Sequence, residues 1–248
     1  IHRDAFKHAA SCVPVVVDSA KDGEALTAWL SQTTAKAELE LRARDALSRA
    51  KGGDIRFVNA ASWSDVEVAQ REWLLADWIP MNQATLLTGA GASGKSLLGQ
   101  QLATCVALGL DCLGIPTRAS NALYVTTEDE EDELHRRQVA ICRLLSVPLK
   151  DLDGTLMLSS WHGANGNELA TFDGNGKLVP TSRFAQLREH ALSRGISFIV
   201  LDNKAHLFAG NENDRHQVAA FVNLLNQLAA DIGGAVLFIA HPNKAGDE

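Results

Sequence analysis

Positive charge is in short supply in this sequence. Across 248 residues, 23 Lys and Arg stand against 30 Asp and Glu, for a net charge of −7. This excludes binding of nucleic acid along a broad basic face, although a few Lys or Arg on loops could still make contacts. Cysteine is sparse as well: Cys12, Cys105, Cys112 and Cys142, with no C-x-x-C spacing. That pattern reads as buried or free thiols in a reducing cytosol, so a cytoplasmic location is expected. No apolar run approaches the roughly 18 residues a membrane span needs. The opening Ile1-His2-Arg3-Asp4 lacks the apolar core of a signal peptide. No membrane partner is expected. Position 1 is not Met, and the sequence is read as a piece of a longer protein, cut at least at its N-terminus. No internal repeat is evident.

What is present is concentrated in Gly89-Ala90-Gly91-Ala92-Ser93-Gly94-Lys95-Ser96, which has the form G-x-x-x-x-G-K-[ST]. A triphosphate packs several negative charges into a few ångströms. Backbone N–H groups can surround it only where the chain turns tightly with little side-chain bulk, and glycine permits both. Lys95 places a point charge between the β- and γ-phosphates. The Ser96 hydroxyl is a hard oxygen ligand of the kind Mg2+ takes beside phosphate. The following helix, opening through Leu97, adds the positive end of its dipole. The expected ligands are ATP and Mg2+, with residues 89–97 as the nucleotide-binding set. The flanks support the motif. Ala84-Thr85-Leu86-Leu87-Thr88 is a short apolar run suited to a buried strand. Leu97, Leu98, Leu102, Cys105, Val106 and Leu108 to Leu110 continue at helical spacing.

From Trp73 onward the pattern is α/β. Strands are expected at 122–127, 155–159, 196–202 and 235–241, with helices after the acidic run 128–133, over 184–193 and over 218–231. The Gly- and Asn-rich stretch 163–176 reads as a hairpin or surface loop. Alternating strands and helices imply a mostly parallel sheet with helices on both faces, a P-loop NTPase core. Residues 1–72 differ. A strand at 13–18, a helical stretch at 24–30 and a helix at 34–50 without a core of their own suggest the end of an upstream domain or a linker helix. The ATPase domain is then 73–248, truncated at its C-terminus.

Asp202 ends an apolar strand. In open α/β sheets ligands sit at the carboxyl ends of strands, so Asp202 is placed to hold Mg2+ through water. The next residue, where many such ATPases carry the base that activates water, is Asn203, an amide that cannot take a proton. Glu128, the first carboxylate after the 122–127 strand, is the best candidate for that base, with Asp129 as runner-up. His241 ends the last strand. It could contact the γ-phosphate or the attacking water and report hydrolysis to the loop beyond, where Lys244 could serve phosphate or polynucleotide.

With these residues in view, the region from about 73 to 246 resembles the RepA-type branch of the RecA-like ATPases, the hexameric replicative helicases of plasmids and phages. Trp78-Ile79-Pro80 leading to the glycine loop, Leu123 to Asp129, Phe198 to Asp202, and Leu237 to His241 followed by Lys244 carry the likeness. The resemblance implies that Glu128 activates water, Asp202 holds Mg2+ and His241 couples nucleotide to DNA. It also implies single-stranded DNA as a partner and a homo-hexamer. Asn211-Glu212-Asn213-Asp214 is similar to the acidic-polar loop that follows the magnesium strand in that family. The family often has two adjacent histidines after the last strand, and here the first is Ala240. A regulatory RecA-like ATPase acting on protein partners shares the same core. A small-molecule P-loop kinase would need an Arg-rich lid, and no such run is present.

Overall fold

The computed structural model describes residues 57–241. The elements expected at 13–18, 24–30 and 34–50, together with Cys12 and Lys244, lie outside the described residues. The chain divides into two compact units between Ser64 and Asp65. Of the first, the described part holds a single 3-10 turn, Ala60–Trp63, with the Asn59 side chain accepting from the Ala61 N–H at its start.

The second unit opens with a two-stranded antiparallel ribbon, β1 (Trp73–Leu75) and β2 (Ile79–Pro80). Then come β3 (Gln83–Thr88), the glycine loop and α1 (Lys95–Leu108). Gly109 ends α1 in the left-handed region at φ 65°, its N–H bonded to the carbonyls of Cys105 and Val106. The helix therefore stops short of the helical spacing expected through Leu110, because a left-handed residue cannot continue it. β4 (Asn121–Thr126), α2 (Glu131–Leu145) and β5 (Leu156–Ser160) follow. β6 (Ala170–Phe172) and β7 (Leu178–Pro180) make a hairpin around Asp173, whose carboxylate accepts from the N–H groups of Asn175 and Lys177. The chain then runs through α3 (Ser182–Ser193), β8 (Ile196–Asp202), the short α4 (Lys204–Leu207), α5 (Arg215–Asp231) and β9 (Ala235–Ala240).

Five strands form one sheet in the order β3-β9-β8-β4-β5, every pair parallel. A parallel sheet needs cover on both faces. On one face Leu123, Ile199, Leu201, Leu187, Phe221, Leu225 and Phe238 pack with α3 and α5. On the other, Tyr124, Phe198, Val200, Leu237, Ile239, Leu102 and Val106 pack with α1 and α2. The alternation along β8 sends Phe198 and Val200 one way and Ile199 and Leu201 the other. β3 departs from expectation. It is not a buried strand: among the described strands it pairs only with β9, and Leu86 is 57% exposed. Its place at the end of the sheet leaves one side without a partner strand, while α5 covers it in part: Ala84 packs against the core on that face and its N–H donates to Asn226 Oδ1 of α5 at 2.8 Å.

Close contact between α1 and the sheet depends on Gly99. A methyl added there would sit 2.8 Å from Ile239 Cδ1 and 3.2 Å from Val200 Cγ1. This approach aims the N-terminus of α1 along the tips of the neighbouring strands.

Candidate active site

Because the five strands are parallel, all their carboxyl ends lie along one edge. In register, Thr88 is level with Ala240. Ile239 is level with Asp202, and Asp202 with Thr126. The glycine loop, His241, Asp202 and Glu128 therefore leave the sheet on the same side, from four neighbouring strands. That is the arrangement their residue types require if they are to act on one ligand.

Gly94 stands before α1 at φ 84°, a left-handed conformation natural to glycine. Ala92 also adopts positive φ, 56°, so the tight turn of the loop is shared with a residue bearing a methyl. Lys95 is buried, and its Nζ donates to the carbonyls of Gly89 and Ala90, each at 2.8 Å. The same nitrogen lies 3.3 Å from His241 Nδ1. An ammonium has only donors, so Nδ1 is the accepting nitrogen of that ring. His241 itself is exposed. Ser96 is half-buried and Leu97 is 45% exposed.

Asp202 is almost fully buried, 1% exposed. Its Oδ2 accepts from the Tyr124 hydroxyl at 2.7 Å, and that hydroxyl lies 3.4 Å from the Ser96 carbonyl. Burial first, then the Asp202 carboxylate, pushes the Tyr124 hydroxyl well above its ordinary pKa, so it stays a donor. Tyr124 thus joins the strand of Glu128, the magnesium candidate Asp202 and the loop helix. Sequence reasoning missed this role. The available signal was that Tyr124 is the chain's single tyrosine, set between Leu123 and Val125 in a buried strand.

Beyond β4 the two acidic candidates separate. Asp129 is gripped by the Arg137 guanidinium through both oxygens, at 2.5 and 3.0 Å. Both oxygens are thus engaged by an opposite charge. Glu128 is exposed and accepts from Asn203 Nδ2 at 2.5 Å through Oε1. It borders a cleft with Thr127, His162, Asn165, Asn167 and His206. Of the remaining acids, Glu131, Asp132 and Glu133 occupy the first turn of α2, where they suit the helix dipole. Asn203 is buried at 1% exposure, and the Asp202–Asn203 peptide is cis. Among the described residues no group of three or more His, Cys, Asp or Glu gathers to hold a metal unaided. The hard oxygens of Ser96 and Asp202 are of the type that suits Mg2+ beside phosphate, with water between the ion and the buried Asp202.

A glycine loop between a strand and a buried helix, with an acidic tip two strands away in a five-stranded parallel sheet, defines a P-loop NTPase with a RecA-like core. The profile of a family described as an AAA domain matches residues 54–247, and the chain belongs to that family. Nucleotide binding follows from the membership, as does, in general, Mg2+. No helix among the described residues is long and apolar enough to cross a membrane.

Proposed function

We propose that this chain binds ATP and Mg2+ and hydrolyses ATP to drive movement along single-stranded DNA, as the motor of a replicative helicase of a plasmid or phage-type element working as a homo-hexamer. The observation that carries the reading is the convergence of Lys95, Asp202, Glu128 and His241 at one sheet edge, with Asp129 tied to Arg137 and Glu128 bordering an open cleft. On ATP binding, Lys95 exchanges the Gly89 and Ala90 carbonyls for phosphate oxygens. Ser96, and Asp202 through water, would hold Mg2+, which would neutralise charge on the phosphates. Glu128 takes a proton from the attacking water, a positioned-base effect of roughly 10²–10⁴-fold. His241, in contact with the Lys95 ammonium, passes the state of the phosphate site to the chain beyond β9.

The net charge of −7 favours a second reading, a regulatory ATPase acting on protein partners. One set of assays on the full-length protein separates the two. Lys95→Ala is expected to remove nucleotide binding, and Glu128→Gln to keep binding while abolishing turnover. Single-stranded DNA is expected to stimulate hydrolysis. Normal turnover in Glu128→Gln would refute the base assignment. Absence of both stimulation and unwinding would leave the regulatory reading.

A further inference from the structure

Asn203 stands where many related ATPases keep their base, yet it is an amide, and no step of the proposed reaction uses it. Its two side-chain atoms are both engaged. Oδ1 accepts from the Ala205 N–H at 3.0 Å, at the start of α4. That bond fixes which way the amide faces, so Nδ2 has one direction left and donates to Glu128 Oε1. Asn203's own N–H is bonded to Thr127 Oγ1, and the Thr127 N–H to the Asp202 carbonyl at 2.7 Å. The tips of β4 and β8 are thereby stitched together beneath the carboxylate. On the far side, Lys204 of α4 reaches Glu212 at 3.2 Å, and the Asn211 N–H is bonded to Gln217 of α5. The 211–214 loop is thus tied to the element that Asn203 caps.

We propose that Asn203 is a positioning residue for Glu128: it holds Oε1 so that Oε2 is presented to water, and it couples that orientation to α4 and the 211–214 loop. An acceptor at position 203 could not do this. A carboxylate there would repel Glu128, whereas an amide can cap a helix with one atom and donate with the other. The proposal rests on Glu128 being the base, and its test keeps the two claims apart.

The test compares Asn203→Asp, Glu128→Gln and the double variant in the intact chain, by nucleotide affinity, turnover and thermal melting. Asp is as good a helix cap as Asn, so a purely capping role predicts that Asn203→Asp behaves as wild type. The positioning role predicts turnover reduced on the order of 10²-fold, as a displaced catalytic group commonly costs, with nucleotide affinity unchanged. It also predicts a Tm lowered by about 2–4 °C with Glu at 128, and by less than half of that with Gln, whose amide can donate to the introduced carboxylate. The double variant is expected to be inactive. Full turnover in Asn203→Asp overturns the proposal, and so does an undiminished Tm loss in the double variant. Activity in the double variant would make position 203 itself the base and overturn it too. Turnover surviving Glu128→Gln strikes instead at the base assignment. If Asn203→Asp does not fold, Asn203→Ser carries the same test: its hydroxyl caps α4 but ends short of Glu128, and wild-type turnover there would overturn the claim.

Discussion

At the residue scale, the site separates side chains that look alike in sequence. Glu128 and Asp129 are adjacent carboxylates, yet of the two Arg137, from the second turn of α2, closes on Asp129, while its Nε pairs with Glu133. The order Glu before Asp is plain in the chain. Which one is neutralised depends on where α2 points its arginine. Tyr124 is a further case. Its hydroxyl is the one side-chain donor to the Asp202 carboxylate among the described residues. Tyr124→Phe keeps the ring packing and removes that donor from a buried carboxylate. A loss of about 1–3 kcal/mol is expected, read as a lower urea midpoint with an unchanged m-value. Hydrolysis by this variant is also expected to need more Mg2+, since Asp202 is then less firmly held. An unchanged midpoint would show that Asp202 gains nothing from the tyrosine.

At the element scale, most strands and helices announce themselves. β9 is an unbroken apolar run, β8 is one from Phe198 to Leu201, and α5 begins where Asp214 accepts from the N–H groups of His216 and Gln217. α4 was not legible: Lys204–Leu207 is a single turn without periodicity, and Asn203 creates it by capping. The seating of α1 was also hidden. Gly99 reads as a weak point in a helix, since glycine there costs about 1 kcal/mol relative to alanine. In the structure it is the place where the helix meets Ile239, Val200 and Tyr124. Gly99→Ala gains helix propensity but forces overpacking of about 1–3 kcal/mol against side chains that are themselves buried. The clash is expected to win. A lower melting temperature with unchanged helical circular dichroism is the expected result, together with weaker nucleotide binding as the N-terminus of α1 is pushed off the strand tips. A gain in stability would mean the sheet yields at that point.

At the scale of the whole molecule, α1 packs on the central strands, so the phosphate loop, helix and sheet are expected to respond to ligand as one body. A ligand that binds only the native state stabilises it by mass action. A non-hydrolysable ATP analogue with Mg2+ at about a hundred times its Kd is expected to add about 2.7 kcal/mol, seen as a rise in Tm. Lys95→Ala is expected to abolish that rise. A rise that persists in Lys95→Ala would mean that the nucleotide is held elsewhere. Pattern alone predicts a parallel sheet, but not that β9, last in the described chain, inserts between β3 and β8. That insertion brings His241 beside Lys95.

The chemistry of this protein was written in local sequence, because a loop that wraps phosphate needs glycine, lysine and serine at set spacing whatever surrounds them. The alternation of strand and helix was equally local, since it follows from period and propensity. Tertiary structure decided which strands became neighbours, which carboxylate met an arginine, and that Asn203 and Tyr124 serve the acidic residues beside them. Those contacts join positions as far apart as 75 and 78 residues in the chain. The parallel pairing of β4 with β8, which sets Thr126 level with Asp202, brings such positions within hydrogen-bond reach.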